Sequence, residues 1–429
     1  GGGGGGGGKS GGGAASNTSR TVGGSGSGLP SGGGKSSKAG TSDDAKGSNT
    51  VPKKQPAPAA DTAKQVALFA HLAQYERDAS LSASAASKEV HPLVLKAGLQ
   101  MAEGLISGTS ARMVAMLRAL QATIADFKCP PAKVLSRELE TRIKVQIQHL
   151  NDCRPKSLAM GDGIKWLKLR VAQVPGHLPN EAAKRLLCQQ IDTYIDERIV
   201  LADRAISAAA ASKISTGESV LVYARSHVVE QTLLHAKARG VDFSVVVVDG
   251  GPRFEGRPLV ARLAAAGIPA TYALLHAVSY LIPSINKVLL GASSMLVNGT
   301  LVSRAGTALV AMAAHEHGVP VLVCCETFKF TERVLLDAIC YNELGDPEEL
   351  VPKPPAVSGG AAAAAEPSVL TGWRDTPRLK LLNLVYDVTP MKYLTMIVTE
   401  AGVIPPTSVP VIIREDKDRA QLANPSAMP

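Results

Sequence analysis

The chain has 429 residues, of which 45% are hydrophobic, and it carries a formal net charge of +9. This length and apolar content exclude a chain that is disordered throughout, and they leave room for two domains of about 150 residues each. The sequence has no uninterrupted apolar run of about 18 residues and no hydrophobic signal segment. We therefore expect a soluble, cytoplasmic (cytosolic) protein that does not cross a membrane.

The first 60 residues differ in composition from the rest of the chain. Residues 1–60 are rich in Gly, Ser, Lys and Pro, contain almost no large apolar residue, and carry +5 of the net charge. Such a segment cannot bury enough surface to offset the entropy lost on ordering, which predicts a disordered tail. A basic tail could contact RNA or the ribosome non-specifically, or it could simply keep a large assembly soluble.

Residues 61–213 are predicted to form a helical domain, because apolar residues recur there at three- and four-residue spacing. The pattern begins with Val66, Leu68, Phe69 and Leu72. Gly108, Thr109 and Ser110 are predicted to end one helix and to cap the next. The buried stripe of that next helix is predicted to consist of Met113, Met116, Leu117 and Leu120.

Residues 214–429 show strand and helix patterns in alternation, as a parallel sheet requires. The predicted strands are Val220–Tyr223, Phe243–Asp249, Ala270–Leu275, Val288–Leu290, Met295–Val297 and Val319–Cys325. The predicted helices between them are Val228–Arg239, Pro258–Ala266, Val278–Ile285 and Arg304–His317. The fold class is therefore α/β: an N-terminal helical domain followed by a doubly wound, Rossmann-like parallel-sheet domain.

The last part of the chain contains an interruption of this pattern. Residues 352–367 are rich in Pro, Gly and Ala, which predicts an exposed, mobile loop. After it, the segment Lys380–Pro390 alternates like a strand that runs into a turn. Met391–Thr399 is predicted to be a short amphipathic helix.

The sequence gives no sign of a metal or a cofactor. The turn after the first strand, Ala224–His227, lacks the G-x-G-x-x-G pattern of dinucleotide-binding proteins. No cysteine pair has C-x-x-C spacing, so we expect reduced core thiols at Cys129, Cys153, Cys188, Cys324, Cys325 and Cys340. His315 and His317 lie two apart on a predicted helix and should point to different faces.

The loop that precedes the helix Arg304–His317 is the best place for a binding site. It carries polar residues, namely Asn298, Gly299, Thr300, Ser303 and Arg304. In open α/β sheets, ligands bind at the carboxyl ends of the strands, and this loop follows such an end.

Several blocks of the sequence resemble the delta-subunit family of eukaryotic translation initiation factor 2B. The blocks are HPLVLKAGLQMAEGLISGTSARMVAMLRAL, NDCRPKSLAMGDGIKWLK, VLVYARS, NGTLVSRAGTALVA, VPVLVCCETFKF, NELGDPEEL and LLNLVYDVTP. The resemblance extends from about Ala63 to the end of the chain, except for the Pro- and Ala-rich loop.

The resemblance implies a non-catalytic regulatory subunit of the factor that exchanges guanine nucleotide on initiation factor 2. The implied partners are the alpha and beta subunits in a hexameric regulatory core, two catalytic gamma–epsilon pairs, and initiation factor 2 itself. The implied core senses phosphorylation of the alpha subunit of initiation factor 2, as in the integrated stress response. A phosphate adds nearly two negative charges, which arginine and lysine clusters can bind.

The same fold belongs to sugar-phosphate isomerases that act on methylthioribose 1-phosphate and ribose 1,5-bisphosphate, and such an enzyme or a sugar-phosphate-binding relative is the alternative. In those enzymes a cysteine follows the first strand and an aspartate follows an Asn-Gly pair. The corresponding positions here are Ala224 and Thr300. A methyl group and an uncharged hydroxyl cannot replace a thiol and a carboxylate in proton transfer, so no catalytic residue is expected.

Five residues could still form a vestigial anion pocket, namely Arg154, Arg225, Ser226, Asn298 and Arg304. Their guanidinium, amide and hydroxyl groups suit a phosphate. The alternative interpretation is that Arg154 and Arg304 form buried ion pairs or cap strand ends.

Two surfaces are predicted to bind protein partners. The first lies on the helical domain and consists of Arg112, Lys165, Trp166, Lys168 and Arg170, with Trp166 either exposed there or part of the core. The second is a subunit interface formed by Leu382, Leu384, Val385 and Tyr386, residues that could equally form a central strand of this chain.

Overall fold

Six α-helices make up the first half of the structure, a computed structural model that describes residues 64–72, 74, 89–131, 133–352 and 368–422. Residues 1–60 and residues 353–367, where we predicted a tail and a loop, lie outside these ranges. The helices are α1 (Pro92–Ala102), α2 (Thr109–Asp126), α3 (Leu135–Cys153), α4 (Leu158–Ala172), α5 (Asn180–Ile195) and α6 (Ala202–Ala211), with a π-helical stretch, Asp196–Leu201, between the last two.

The start of α2 shows how the sequence sets a helix boundary. Gly108 adopts a φ of 84°, a left-handed value that favours glycine, and the helix begins at Thr109. The prediction of a helix break here is confirmed, but no side chain caps the helix, since Gly108 is the N-cap residue. The predicted apolar stripe is confirmed: Met113, Met116, Leu117 and Leu120 are all buried in the helical core.

The segment before α1 is not the helix that we predicted. Residues 64–72 contain a single 3-10 turn, Ala67–Phe69, in which Phe69 is buried and Leu68 is 55% exposed. Long-range hydrogen bonds hold the segment instead. Lys64 Nζ donates to the carbonyl oxygen of Thr376 at 2.7 Å, and Gln74 Nε2 donates to that of Gly345 at 2.7 Å.

The second half contains a seven-stranded sheet in the order β11-β10-β7-β4-β1-β2-β3, parallel except for β11. Its strands are β1 (Ser219–Tyr223), β2 (Ser244–Asp249), β3 (Ala270–Leu274), β4 (Lys287–Gly291), β7 (Val321–Cys324), β10 (Met396–Thr399) and β11 (Gly402–Ile404). The helices are α7 (His227–Ala238), α8 (Gly256–Ala265), α9 (Val278–Leu281), α10 (Thr307–Glu316) and α11 (Val409–Leu422).

Two separate apolar clusters involve this sheet. One packs Leu233 of α7 and Leu259 of α8 with β-strand residues, and the other packs Val278 of α9 and Val310 of α10 with side chains of alternating strand positions. Because successive side chains of a strand point to opposite faces, helices cover both faces of the sheet. The predicted doubly wound α/β fold is confirmed.

A smaller sheet has the order β8-β5-β6-β9, with strands β5 (Ser294–Leu296), β6 (Leu301–Arg304), β8 (Phe330–Thr331) and β9 (Tyr386–Thr389). The predicted strand Met295–Val297 therefore belongs to this sheet. The predicted helix Arg304–His317 begins only at Thr307, because Leu301–Arg304 returns as a hairpin strand after Gly299, whose φ is 73°.

The predicted helix Met391–Thr399 is wrong. Met391–Tyr393 forms one 3-10 turn, and Met396–Thr399 is β10, which pairs in parallel with β7. The β-branched run Ile397-Val398-Thr399 is fully buried, and such residues favour a strand that is covered on both faces. Among the residues that the structure describes, no helix combines the length and the apolar character needed to cross a membrane.

Candidate functional site

A cavity of about 190 Å³ lies at the carboxyl ends of β1 and β4. The chain runs from β1 outward to β2 and β3 and then returns to place β4 on the other side of β1, so this is the point where the strand order reverses. Open α/β sheets bind ligands at such a point. Arg225 and Ser226, which follow β1, line the cavity together with residues 291–293 at the end of β4.

The first turn of α2 closes this cavity from the helical half of the molecule. Thr109 Oγ1 lies 2.8 Å from Ser293 Oγ, and Ser110 Oγ donates to Glu326 Oε1 at 2.9 Å. The helix start therefore reaches the site through hydroxyl groups. None of these residues was predicted from the sequence, although the G-T-S signal marked the helix end itself.

Both arginines of the cavity already contact carboxylates. Arg304 donates from Nε and Nη2 to the two oxygens of Glu255, each at 2.8 Å. Arg225, which is 42% exposed, lies 3.3 Å from Glu230, and Glu230 also accepts from Arg262. Burial by itself lowers the pKa of Arg304, but Glu255 and Tyr386 together outweigh this effect, and the pKa is raised.

The predicted five-residue anion pocket is only partly assembled. Arg225, Ser226 and Arg304 line the cavity, whereas Arg154 and Asn298 are not among its lining residues. Arg154 is 2% exposed and donates from Nε to Glu343 at 2.8 Å. Asn298 lies in the turn between β5 and β6 and donates to the carbonyl oxygen of Leu335 at 3.3 Å.

The two positions that we aligned with isomerase catalytic residues do not line this cavity. Ala224 has a φ of 50° and lines a neighbouring cavity of about 60 Å³ together with Asp249 and Arg253. Thr300 is buried at the β5–β6 turn, where its backbone N–H donates to Asn298 Oδ1 at 3.4 Å. Whether these two positions are the catalytic ones of the isomerases stays a prediction.

Arg112 was predicted to lie on the helical surface, and this is wrong. It is 1% exposed, donates from Nη2 to the carbonyl oxygen of Pro155, and lies 3.8 Å from Glu343. Burial lowers its pKa, whereas the closer contact with Glu343 raises that of Arg154 above its usual value despite burial. The sequence held a signal for this position, since Arg112 lies three residues after Thr109 and four before Met116, on the buried face of α2.

The family of the chain follows from its sequence. Residues 105–406 match the model of the initiation factor 2 subunit family, which is more than half of the chain. The chain belongs to the initiation factor 2 subunit family.

Among relatives with named functions, the chain is 42% identical over 379 residues to translation initiation factor eIF2B subunit delta of Dictyostelium discoideum, covering 87% of the chain and 60% of the relative. It is 42% identical over 354 residues to the delta subunit of Schizosaccharomyces pombe, covering 82% of the chain and 74% of the relative. It is 28% identical over 311 residues to ribose 1,5-bisphosphate isomerase of Pyrococcus furiosus, covering 72% of the chain and 89% of the relative. The chain thus spans less than two thirds of the length of the first relative.

The fold agrees with a solved member of the family. A chain of the tetrameric eIF2B-beta2-delta2 complex from C. thermophilum superposes with a TM-score of 0.68 at 34% identity. The match covers 79% of the present chain and 99% of the other one.

In the present chain, the basic face of α4 is partly exposed. Lys165 is 80% exposed and lies 2.9 Å from Asp162, and Lys168 and Arg170 are half-buried. Trp166 is also half-buried, packs against the helical core, and lies with its ring centroid 4.3 Å from that of Tyr194. Both alternatives for Trp166 are thus met in part, since one side of its ring packs inward.

The residues of the predicted subunit interface also differ in how far they are exposed. Leu382 is 37% exposed, Leu384 and Tyr386 are half-buried, and Val385 is 9% exposed. Tyr386 begins β9, which lies at the edge of the small sheet beside β6, so the alternative of a central strand is wrong.

The cysteines are all unbridged, but they are not all core thiols. Cys153, Cys324 and Cys325 are buried, Cys129 and Cys188 are half-buried, and Cys340 is exposed. Cys340 lies in the irregular segment between β8 and β9, which has no helical or strand period from which burial could be judged. Within the described residues, no three histidine, cysteine or acidic side chains form a group that could hold a metal ion.

Proposed function

We propose that this chain is a non-catalytic regulatory subunit of the eIF2B guanine-nucleotide exchange factor and acts in the cytosol. The observation that carries the proposal is the match to nearly the whole length of a chain from the eIF2B-beta2-delta2 complex. In the proposed assembly, beta and alpha subunits are its regulatory partners, and gamma and epsilon subunits carry out nucleotide exchange.

A regulatory role is also supported by the two positions that we aligned with isomerase catalytic residues and by the ion pair of Arg304. Ala224 and Thr300 cannot transfer protons in place of a thiol and a carboxylate. Arg304 is already paired with Glu255 in a bidentate contact, so a bound anion would compete with a half-buried carboxylate. A sugar-phosphate isomerase is therefore the weaker alternative, despite the likeness to the archaeal enzyme.

We propose that this subunit helps the complex bind the alpha subunit of initiation factor 2 and sense its phosphorylation, as in the integrated stress response. The surface that we assign to this contact is the basic face of α4, with Lys165, Trp166, Lys168 and Arg170. Arg112 has no part in it because it is buried. Lysine and arginine side chains beside a half-exposed tryptophan suit a phosphorylated partner, since they combine charge with an apolar anchor.

The subunit contact that we propose centres on Leu382. The Leu382 side chain is more than a third exposed. The chain just before Leu382 is anchored, because Lys380 Nζ donates to the carbonyl oxygen of Gln65 at 2.7 Å. A leucine held in place at the surface suits a protein interface, where it can be buried without a further cost of ordering the backbone.

Co-purification with alpha and beta subunits tests the proposal. We expect the wild-type chain to form a stable complex with them, and we expect Leu382→Glu to weaken it by about tenfold or more, because a charge would be buried at the interface. Val369→Glu is the matched control, since Val369 is 98% exposed. A wild-type chain that forms no complex and instead isomerises ribose 1,5-bisphosphate would overturn the proposed function.

A further inference from the structure

Three carboxyl groups and one lysine lie together where α6 meets the loop after β7 and the turn after β10. We call Asp203, Glu326, Lys329 and Glu400 the junction cluster. Glu326 is 1% and Lys329 5% exposed, the Asp203 side chain is 13% exposed, and Glu400 is half-buried. The cluster is therefore largely shielded from water.

The junction cluster connects the helical half to the sheet. Glu326 Oε2 lies 2.6 Å from Lys329 Nζ, and Glu326 Oε1 accepts from Ser110 of α2. Glu400 accepts from the backbone N–H of Thr327 at 3.0 Å and from its hydroxyl group at 2.5 Å. Asp203, near the start of α6, contacts Glu326. A change at one member therefore affects α2, α6 and the end of β10 together.

The charges of the cluster do not balance if every group is ionised. Lys329 is the cation within it, against three carboxylates. Two further basic side chains face the cluster from neighbouring elements: His227 of α7 lies 4.0 Å from Asp203 but is 59% exposed, and Arg198 is already paired with Asp416 at 2.9 Å. Buried carboxylates without a partner are costly, so the fold favours keeping a proton on one of them.

Asp203 and Glu326 are the two groups that can hold that proton. Asp203 Oδ1 is buried and has no hydrogen-bond partner among the described residues, and the Asp203 carboxyl group interacts with that of Glu326. Two ionised carboxylates are both acceptors, so a contact between them is favourable only when one proton lies between the two groups. Burial, together with the neighbouring Glu326 carboxylate, raises the pKa of Asp203 to about 8. Burial also acts to raise the pKa of Glu326, but the contacts with Lys329 and Asp203 together outweigh it and lower that pKa.

We propose that Asp203 and Glu326 share one proton at neutral pH, and that losing it under mildly alkaline conditions loosens the junction between α6, α2 and the sheet. Below the pH at which this proton is lost, Asp203 donates to Glu326 and the pair holds α6 to the loop after β7. Above it, two negative charges face each other with one lysine between them.

The direction of the pH effect follows from proton linkage. Asp203 keeps its proton to a higher pH in the folded chain than in the unfolded chain, so the folded state binds more protons between those two pKa values. Stability must then fall as the pH rises toward about 8 and become independent of this group above that. Asp203→Asn removes the effect, because an amide N–H donates to Glu326 at every pH.

Hydrogen exchange of the full chain, from about pH 6 to about pH 10 and corrected for the intrinsic effect of pH on exchange, tests the proposal. We expect amides of α6 and of residues 325–331 to exchange several-fold faster above pH 8 in the wild type but not in Asp203→Asn. Asp242→Asn is the control, because Asp242 is 81% exposed and paired with Lys237. Asp242→Asn should keep the wild-type response.

An infrared difference spectrum between the two pH extremes gives a second measurement. We expect the wild type to lose the carbonyl band of one protonated carboxylic acid and Asp203→Asn to lack that change. Should Asp203→Asn fail to fold, Glu326→Gln replaces it, because its amide can donate to an ionised Asp203. Equal pH responses in wild type and variant, or no loss of an acid band in the wild type, would overturn the proposal.

Discussion

Glu343 provides the carboxylate for two buried guanidinium groups. It lies 2.8 Å from Arg154 and 3.8 Å from Arg112, and all three side chains are at most 8% exposed. Four guanidinium nitrogens of the two arginines are buried with no hydrogen-bond partner among the described residues. The two positive charges therefore depend on a single negative one, which makes Glu343 the most sensitive of the three residues.

We expect Glu343→Gln to lower the free energy of unfolding by about 3–5 kcal/mol, because it leaves two buried positive charges without their carboxylate. Glutamine keeps the shape of the side chain, so the loss reports the charge. The midpoint of urea unfolding measures it.

Glu138→Gln is the control for this change, since Glu138 pairs with Lys133 at the surface and should cost less than about 1 kcal/mol. If Glu343→Gln costs no more than this control, the two arginines must find another counter-charge.

At the scale of a single element, α4 combines a buried and a basic face. Leu167 and Val171 are buried in the helical core, whereas Lys165 is exposed on the other side and Trp166 lies between the two faces. The helix period produces this division, because residues three and four apart share a face. The packing of Trp166 on Tyr194 holds the tryptophan ring in place, so that its exposed side can serve as a rigid anchor.

We expect Lys165→Gln with Lys168→Gln to weaken capture of the phosphorylated alpha subunit of initiation factor 2 by about tenfold, because the variant removes two charges that attract phosphate. Binding of the assembled complex to the phosphorylated and unphosphorylated protein measures the effect, which should be smaller for the unphosphorylated form.

The matched control removes two positive charges elsewhere on the helical half, by Lys144→Gln in α3 with Lys133→Gln just before that helix, and should leave capture unchanged. Equal loss in both double variants would mean that only the net charge matters, and would contradict a specific role for α4.

At the scale of the whole molecule, the two halves share their interior. Phe328, from the loop after β7, is part of the apolar core of the helices, and Arg112 and Arg154 of the helical half pair with Glu343 of the sheet half. The described residues, all of which lie within 58–429, accordingly form one compact unit. The predicted division at residue 213 coincides with the change from helices to strands, but separate folding of the two parts stays a prediction.

We expect residues 89–213 alone to lack cooperative thermal unfolding, because this fragment loses Phe328 and leaves Arg112 and Arg154 buried without Glu343. Near-ultraviolet circular dichroism of the fragment and of the full chain measures this. Replacing both arginines with methionine should stabilise the fragment, since it removes the unpaired charges. Cooperative unfolding of the unmodified fragment would show that the helical half folds independently.

The sequence by itself determined the order of most helices and strands, the doubly wound sheet and the family, because these depend on local periodicity and on motifs. It placed the cavity only in part: Ser303 and Arg304 of the predicted loop line it, as do Arg225 and Ser226 after β1, whereas Asn298, Gly299 and Thr300 do not. Only the tertiary structure decided which charged groups meet. Arg112, Arg154, Glu343 and the junction cluster come from segments up to about 230 residues apart, and the pairing of buried charges depends on distances that local sequence patterns do not specify.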